Sequence, residues 1–443
     1  MSEAARRPLA RVLSIGDELL RGSHADLNAP FLLSELSTLG FALDSTRLVS
    51  DDPEPLERAM AELCAGAELV ITSGGLGPTL DDVTREAAAR VAGVDLVEAP
   101  GVFEAISAFF VARGKVAPES NRRQAMLPVG ADLLANEHGT APGFAVTVGG
   151  CLLVCLPGPP RELQPMFREV LIPRLRALNP ELTQRAEHTF HLANLSESIF
   201  AERCGDWMAR EADPVIGVSA KRGTLTAHLV ARGADGTALL ERTRAFRERF
   251  EAWILYEGRG SIEARLVERL GALGRTLAVA ESCTGGRIAA RVTAVPGASQ
   301  VFGAGWVTYS NGAKHSQLGV PQALFEAHGA VSREVAAAMA RGAVRASGAD
   351  LAVSVTGIAG PGGGSPEKPV GLVIFGLCLA DPKGQPSGSG PGRPEPGEQV
   401  WTLERKFTGA TRERLQDFAT RAALELALRA IDGKLLELGL ESG

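Results

Sequence analysis

Lysine is scarce in this chain: only seven of its 46 basic residues are lysine, and the other 39 are arginine. Arginine stays protonated in proteins, whereas a desolvated lysine can give up its proton. A lysine inside a motif is therefore a candidate for proton transfer. Long apolar runs are also missing, and no window approaches the length needed to span a bilayer. The opening stretch, MSEAARRPLARVLSIG, lacks the apolar core and small-residue cleavage site of a signal peptide. A cytoplasmic protein is the expectation. Cysteines are few and scattered (Cys64, Cys151, Cys155, Cys204, Cys283, Cys378), with no CxxC pair, which argues against a zinc site or disulfide framework. Cys151 and Cys155 share a strand-like run, CLLVCL, and would lie about 13 Å apart along it, too far for a shared metal or a disulfide. Positive charge is not in excess: the formal net charge is −6, which argues against a nucleic-acid partner.

What is present fits an α/β protein. With 443 residues, 45% of them hydrophobic, the chain is too long for one ordinary core. Residues 1–177 alternate strand and helix, which predicts a mainly parallel sheet covered on both faces. Strands are expected at Leu9–Ile15, Phe41–Val49 and Leu69–Thr72, and helices at Asn28–Leu39, Leu56–Cys64 and Val83–Val91. FAVTVGGCLLVCLPG reads as a hairpin turning at Gly149-Gly150, followed by a helix from Leu163 to Ala177 interrupted at Pro173. Residues 178–260 read as a small α+β connecting module. Residues 261–443 return to alternating strand and helix and end in a helix from Thr411 to Leu436. The Pro/Gly-rich stretch 381–399 reads as a long hairpin loop.

In the last region three glycine-rich segments each follow a strand: AESCTGG (280–286), VTYSNGAK (307–314) and SVTGIAGPGGG (354–364). Ligands of open α/β sheets bind beyond the carboxyl ends of strands, so these loops are candidates for one site. Ser282, Tyr309 and Lys314 are the residues of a serine amidohydrolase: a neutral lysine can activate the hydroxyl, with the tyrosine assisting. Backbone N–H groups near Thr356-Gly357 could hold an oxyanion, and free N–H groups at a helix start suit phosphate. Spacing alone favours blander roles, with Ser282 as a helix cap, Tyr309 as packing and Lys314 on the surface.

Together with LGV (318–320), HGAVS (328–332) and EKPVG (367–371), these motifs make residues 262–436 closely resemble the C-terminal domain of the CinA family, the nicotinamide mononucleotide (NMN) deamidases. The resemblance implies metal-free hydrolysis of the nicotinamide amide. Ser282 would be the nucleophile, Lys314 the base, Tyr309 an assistant, and Thr356 would sit at the reacting centre. Gly285, Gly286, Gly357 and Gly360 would surround the substrate, with Arg412, or its neighbour Arg414, contacting it. Cys283 and His315 are expected to be a core residue and a solvated loop residue.

Near the other end, TSGGLGPTLDDVTREA (72–87) places a Gly-Gly turn and two carboxylates between strand and helix. Asp81 and Asp82 could hold a divalent cation or cap the helix. With IGDELLRG (15–22), DLNAPFL (26–32), VSDDP (49–53), NEHGTAPGF (136–144) and LPGPPRELQPM (156–166), residues 9–170 resemble the molybdopterin-binding (MoCF) fold of CinA proteins, a three-layer α/β domain. There it implies ADP-ribose pyrophosphatase activity with a divalent metal (Mg, Mn or Co) and potassium. Asp82 and Asp51 would be the catalytic carboxylates, and Asp82 and Asp81 the metal ligands. Ser73, Gly74, Gly75, Thr79, Asn136, Gly139 and Thr140 would cradle the nucleotide, with Glu18 and Glu162 as further carboxylates. The family further implies a homodimer whose partners are small nucleotides (NMN, ADP-ribose), not membranes. Two other readings compete: a molybdenum-cofactor enzyme and a competence- or damage-linked partner protein.

Overall fold

The computed structural model describes residues 7–180, 182, 186–221, 223–231, 236–380, 398–435 and 441–442. The expected loop at 381–399 therefore lies, apart from its last two residues, outside the described residues. The chain divides into two compact units, 1–186 with 232–236, and 187–231 with 237–443.

The first unit is built on six strands: β1 (Leu9–Ile15), β2 (Ala42–Val49), β3 (Leu69–Ser73), β4 (Asp132–Leu134), β5 (Gly143–Val148) and β6 (Cys151–Leu156), in the order β2-β1-β3-β6-β5-β4. The first four in that order run parallel, β5 runs antiparallel to β6, and β4 antiparallel to β5. β3 is buried along its whole length, as a parallel strand covered on both faces must be. Alternation assigns its residues to two cores. Val70 packs with Leu13, Leu153, Leu56 and Met60 on one face, and Ile71 with Val12, Val154, Leu36 and Phe167 on the other. Helices α1 (Asn28–Leu39), α2 (Pro53–Cys64) and α3 (Thr84–Ala92) follow the expected pattern, and α4 (Val102–Val111) is a further helix outside it.

The helix expected over 163–177 differs. It runs as Pro160–Pro165, a π-turn stretch Met166–Leu171, and Ile172–Leu178. Proline lacks an N–H and crowds the carbonyl four residues back. The chain meets Pro173 by widening the preceding turns rather than stopping.

In the second unit, β7 (Glu187–Ala193), β8 (Val215–Lys221), β9 (Thr224–Val230) and β10 (Ile254–Glu257) form an antiparallel sheet. Ala193, Leu255 and Tyr256 from it share one core with Leu266, Val279 and Leu424. The large sheet has β11 (Leu277–Glu281), β12 (Phe302–Val307), β13 (Leu351–Gly357), β14 (Leu372–Leu379) and β15 (Gln399–Lys406), in the order β12-β11-β13-β14-β15, with a two-residue edge strand at Glu441–Ser442. β12, β11 and β13 are parallel, so all three carboxyl ends point to one edge. Helices α5 (Arg287–Thr293), α6 (Asn311–Leu318), α7 (Arg333–Ser347) and α8 (Arg412–Ile431) complete the frame of the site.

Candidate functional site

At the carboxyl end of β11 the chain turns sharply, and the Ser282 N–H bonds to the Val355 carbonyl at 3.0 Å. The turn is held from beneath by Glu281, fully buried, whose carboxylate accepts the N–H groups of Gly286, Ile288 and Ala289 at 2.9–3.1 Å. This alters the expectation for Gly285 and Gly286. The start of α5 is already occupied by a carboxylate, so its N–H groups are not open to a phosphate.

Lys314 lies in the first turns of α6, whose start is capped by the Ser310 hydroxyl accepting the Ala313 N–H. The lysine is 1% exposed. Its Nζ sits 3.1 Å from Ser282 Oγ, 2.8 Å from the Thr308 carbonyl and 3.3 Å from the Tyr309 carbonyl. Burial pulls its pKa below the usual 10.5. A neutral amine has two hydrogens and one lone pair. Three oxygens suit the three donors of an ammonium, and once the proton is lost the amine can donate to the two carbonyls and accept from the Ser282 hydroxyl.

The other residues divide between this pair and its rim. The Tyr309 ring is exposed, and its hydroxyl accepts from Arg412 Nη2 at 2.8 Å. Arg412 Nη1 also bonds the Gly360 carbonyl at 2.8 Å. Of the two candidate arginines, Arg412 is thus drawn to the loops, while the Arg414 backbone is capped by Thr411. Thr356 is buried, and its hydroxyl is spent on the Ala330 carbonyl. The pairing alternation of β13 turns the Gly357 N–H to the side of Ser282, since Val355 already bonds there. A Cβ at Gly357 would stand 2.8 Å from the Leu372 carbonyl and 3.1 Å from Cys283 Sγ, so only glycine fits. Cys283 packs in the core, and burial pushes its thiol up to about 12, leaving it protonated and poorly nucleophilic. His315 is exposed, with Nδ1 on the Val320 carbonyl. Gln416, one helical turn beyond Arg412, donates to the Cys283 carbonyl at 2.8 Å. Only the i, i+4 spacing on α8 could have pointed to it.

In the first unit a cavity of about 690 Å³ opens at the carboxyl ends of β1 and β3, where neighbouring strands leave in opposite directions. Gly74 and Gly75 both have positive φ, and a Cβ on Gly75 would fall 2.1 Å from Thr84 Oγ1. The following loop is clamped by two residues that sequence reasoning passed over. Buried Arg85 donates to the Leu76 and Gly77 carbonyls, and Arg123 to the Thr79 carbonyl. Asn28, quoted in a motif but given no role, donates to Ser73 Oγ and the Gly158 carbonyl at 2.7 and 2.6 Å.

Asp82 accepts the N–H groups of Gly77 and Thr79 and the Thr79 hydroxyl; it braces the loop. Asp51, Asp81 and Glu18 line the cavity. Burial, reinforced by the charges of Asp17, Asp81 and Glu18, raises the Asp51 pKa. Thr140 lines the cavity too, while Asn136 holds its own loop through the Ala141 carbonyl and Glu162. Gly139 lets Glu162 approach: a Cβ there would meet its carboxylate at 1.9 Å. Among the described residues no three His, Cys, Asp or Glu side chains gather as a metal cluster. Asp51, Asp81 and Glu18 on one cavity still suit a cation held by one or two carboxylates plus substrate phosphates, the usual manner of magnesium.

Two α/β domains with mixed sheets, one with a carboxylate-lined crevice and one with a buried Ser-Lys pair, define a MoCF-like domain joined to a CinA C-terminal domain. Residues 11–177 match the family model described as "Probable molybdopterin binding domain", and residues 259–388 that of the CinA C-terminal domain. A CinA-like protein of Geobacter sp. (strain M21) is 45% identical over 84% of this chain and 88% of its own length. A relative in Moorella thermoacetica, named for competence-damage inducibility, is 40% identical over 95% of this chain and 98% of its own. The solved competence/damage inducible protein CihA of Agrobacterium tumefaciens is 39% identical, covering 39% of this chain and 97% of its own, with a TM-score of 0.33. The chain belongs to the CinA family. No helix among the described residues is long and apolar enough to cross a membrane.

Proposed function

We propose that the second unit hydrolyses the amide of nicotinamide mononucleotide, giving the acid mononucleotide and ammonia. The observation that carries this reading is the buried Lys314 amine 3.1 Å from the Ser282 hydroxyl. Lys314 takes the Ser282 proton as Oγ attacks the amide carbon. The negative charge that develops on the carbonyl oxygen is met by the Gly357 N–H. Lys314 then returns the proton to the departing nitrogen, ammonia leaves, and a serine ester remains. A water, deprotonated by the same amine, cleaves the ester and restores Ser282. Arg412, tied to Tyr309 and Gly360, supplies the positive charge for the nucleotide phosphate. Lys314→Arg should abolish turnover, because arginine cannot act as the base. The test is ammonia release from nicotinamide mononucleotide in EDTA. Loss in Ser282→Ala with retention in Cys283→Ala supports the reading, and no release by the folded wild-type protein sinks it.

A second reading concerns the first unit, and the cavity lined by Asp51, Asp81, Glu18 and the Gly74-Gly75 turn favours it. There the protein hydrolyses the pyrophosphate of ADP-ribose to AMP and ribose 5-phosphate. A divalent cation, when bound, neutralises phosphate charge and lowers the pKa of water. Asp51 accepts the proton of the attacking water, Asp81 and Glu18 supply oxygens towards the cation, and the Gly74-Gly75 turn lets the backbone approach the phosphates. Asp82 keeps the loop in shape. The assay is AMP formation with magnesium, manganese or cobalt, with and without potassium. A wild-type protein inactive with all three metals would end this reading.

A further inference from the structure

The turn that presents Ser282 is shaped by its backbone carbonyls, and each has an identifiable partner. The Glu281 carbonyl accepts the Thr308 N–H at 2.8 Å, the Ser282 carbonyl the Gly285 N–H at 3.1 Å, and the Thr284 carbonyl the Arg287 N–H at 3.3 Å. The second of these closes a β-turn over 282–285, directly after β11. Cys283 and Thr284 are its central residues, and the plane of the peptide joining them is what distinguishes one turn type from another. That peptide's carbonyl belongs to Cys283. Among the described residues its partner is a side chain, Gln416 Nε2, 2.8 Å away and 133 residues along the chain. A Cβ on Gly285 would stand 4.0 Å from the same nitrogen, so the amide lies along the turn. Gln416 shares a face of α8 with Arg412, one helical turn earlier. Arg412 reaches the loop after β12 through Tyr309 and the loop after β13 through Gly360. With Gln416 on the loop after β11, the first turns of α8 bear on all three strand-end loops.

We propose that Gln416 is a positioning residue for Ser282: by holding the Cys283 carbonyl it fixes the 283–284 peptide, and with it the aim of the preceding side chain at Lys314. The inference rests on the Ser-Lys reading of the second unit and adds the residue that aligns the pair. The Ser282 N–H and carbonyl are held by Val355 and Gly285, which leaves the central peptide of the turn to Gln416. Without that amide the Cys283 carbonyl loses its donor, and a backbone carbonyl shielded from water must find another. Turning the peptide to do so swings Ser282 Oγ from its 3.1 Å contact with Lys314 Nζ. Gln416 acts through the backbone, so its loss falls on kcat and not on KM.

Two variants of the full chain separate the hydrogen bond from the bulk of the side chain. Gln416→Met keeps the length without a donor, and Gln416→Lys restores a donor at similar reach. Each is measured by ammonia release from nicotinamide mononucleotide and by the rate at which a fluorophosphonate labels Ser282. Oγ displaces the fluoride of that probe, which carries no nucleotide to be recognised. Gln416→Met should lose about tenfold or more in kcat and in labelling rate, with KM unchanged. Gln416→Lys should recover most of both. A Gln416→Met protein as active and as quickly labelled as wild type overturns the inference and leaves the amidase reading standing. Equal losses in both variants also overturn it, since the side chain would then serve packing alone. If wild type is labelled at Ser282 but releases no ammonia, the amidase reading falls and the labelling rates still decide the role of Gln416. Neither labelling nor ammonia release by wild type ends both.

Discussion

Lys314 and Asp51 are ionisable groups held in environments that oppose their charge, and each leaves a signature in pH dependence. The folded pKa of Lys314 lies below 10.5 because of burial. Between that lowered value and 10.5 the unfolded chain binds more protons than the folded one, so stability rises with pH through this window. Lys314→Met should remove that rise in urea unfolding midpoints measured across alkaline pH, and should abolish turnover. For wild type, the acid limb of kcat/KM should have its midpoint below 10.5, since the neutral amine is the active form. Asp51 behaves oppositely. Its folded pKa is raised above 3.8 by burial and neighbouring carboxylates, so its contribution to stability is lost as pH rises through the window above 3.8. Asp51→Asn should therefore raise the thermal midpoint at neutral pH while abolishing AMP formation from ADP-ribose, and a fall in the midpoint would contradict this account. Cys283 and Ser282 are adjacent in sequence, yet Ser282 Oγ meets Lys314 while Cys283 packs in the core; β11 ends at Glu281, so a turn, not a pleat, separates the two side chains.

At the scale of the elements, short segments bring the chemistry together. Glu281 closes β11 and caps α5 in one stroke, accepting three backbone N–H groups. Glu281→Gln keeps the shape but turns N–H donors of its own towards those of the helix. Charge-assisted hydrogen bonds contribute about 1.5–3 kcal/mol each, so a loss of about 2 kcal/mol in chemical unfolding is expected, with lower kcat because the Ser282 turn loosens. An unchanged unfolding free energy would mean that the cap is dispensable. Most elements were legible in the sequence: the parallel strands as apolar runs, and the helices by their period and terminal glycines such as Gly40 after α1. The π-turn stretch before Pro173 was not, since proline forbids a hydrogen bond without saying whether the helix stops or widens. Nor was the filling of the α5 start, because a glutamate at the end of a strand gives no sign of the direction in which it folds back.

For the whole molecule the two sites differ in what they demand of the solution. EDTA should extinguish AMP formation from ADP-ribose and leave ammonia release from nicotinamide mononucleotide intact, and Ser282→Ala should do the reverse; a common response of both activities to either treatment would count against two separate sites. Family, domain types and the motif residues were readable from the chain alone. Glycine turns after apolar strands, a lysine amid arginines and paired carboxylates are local patterns, and local patterns survive in one dimension. The tertiary structure alone decided which of them meet. It put Lys314 on Ser282 from 32 residues away and brought Arg412, rather than Arg414, to Tyr309 across 103 residues. It also made Asp82 a brace for its own loop. Distances between residues remote in sequence depend on how helices and sheets pack, and packing is a property of the whole fold that no single segment encodes.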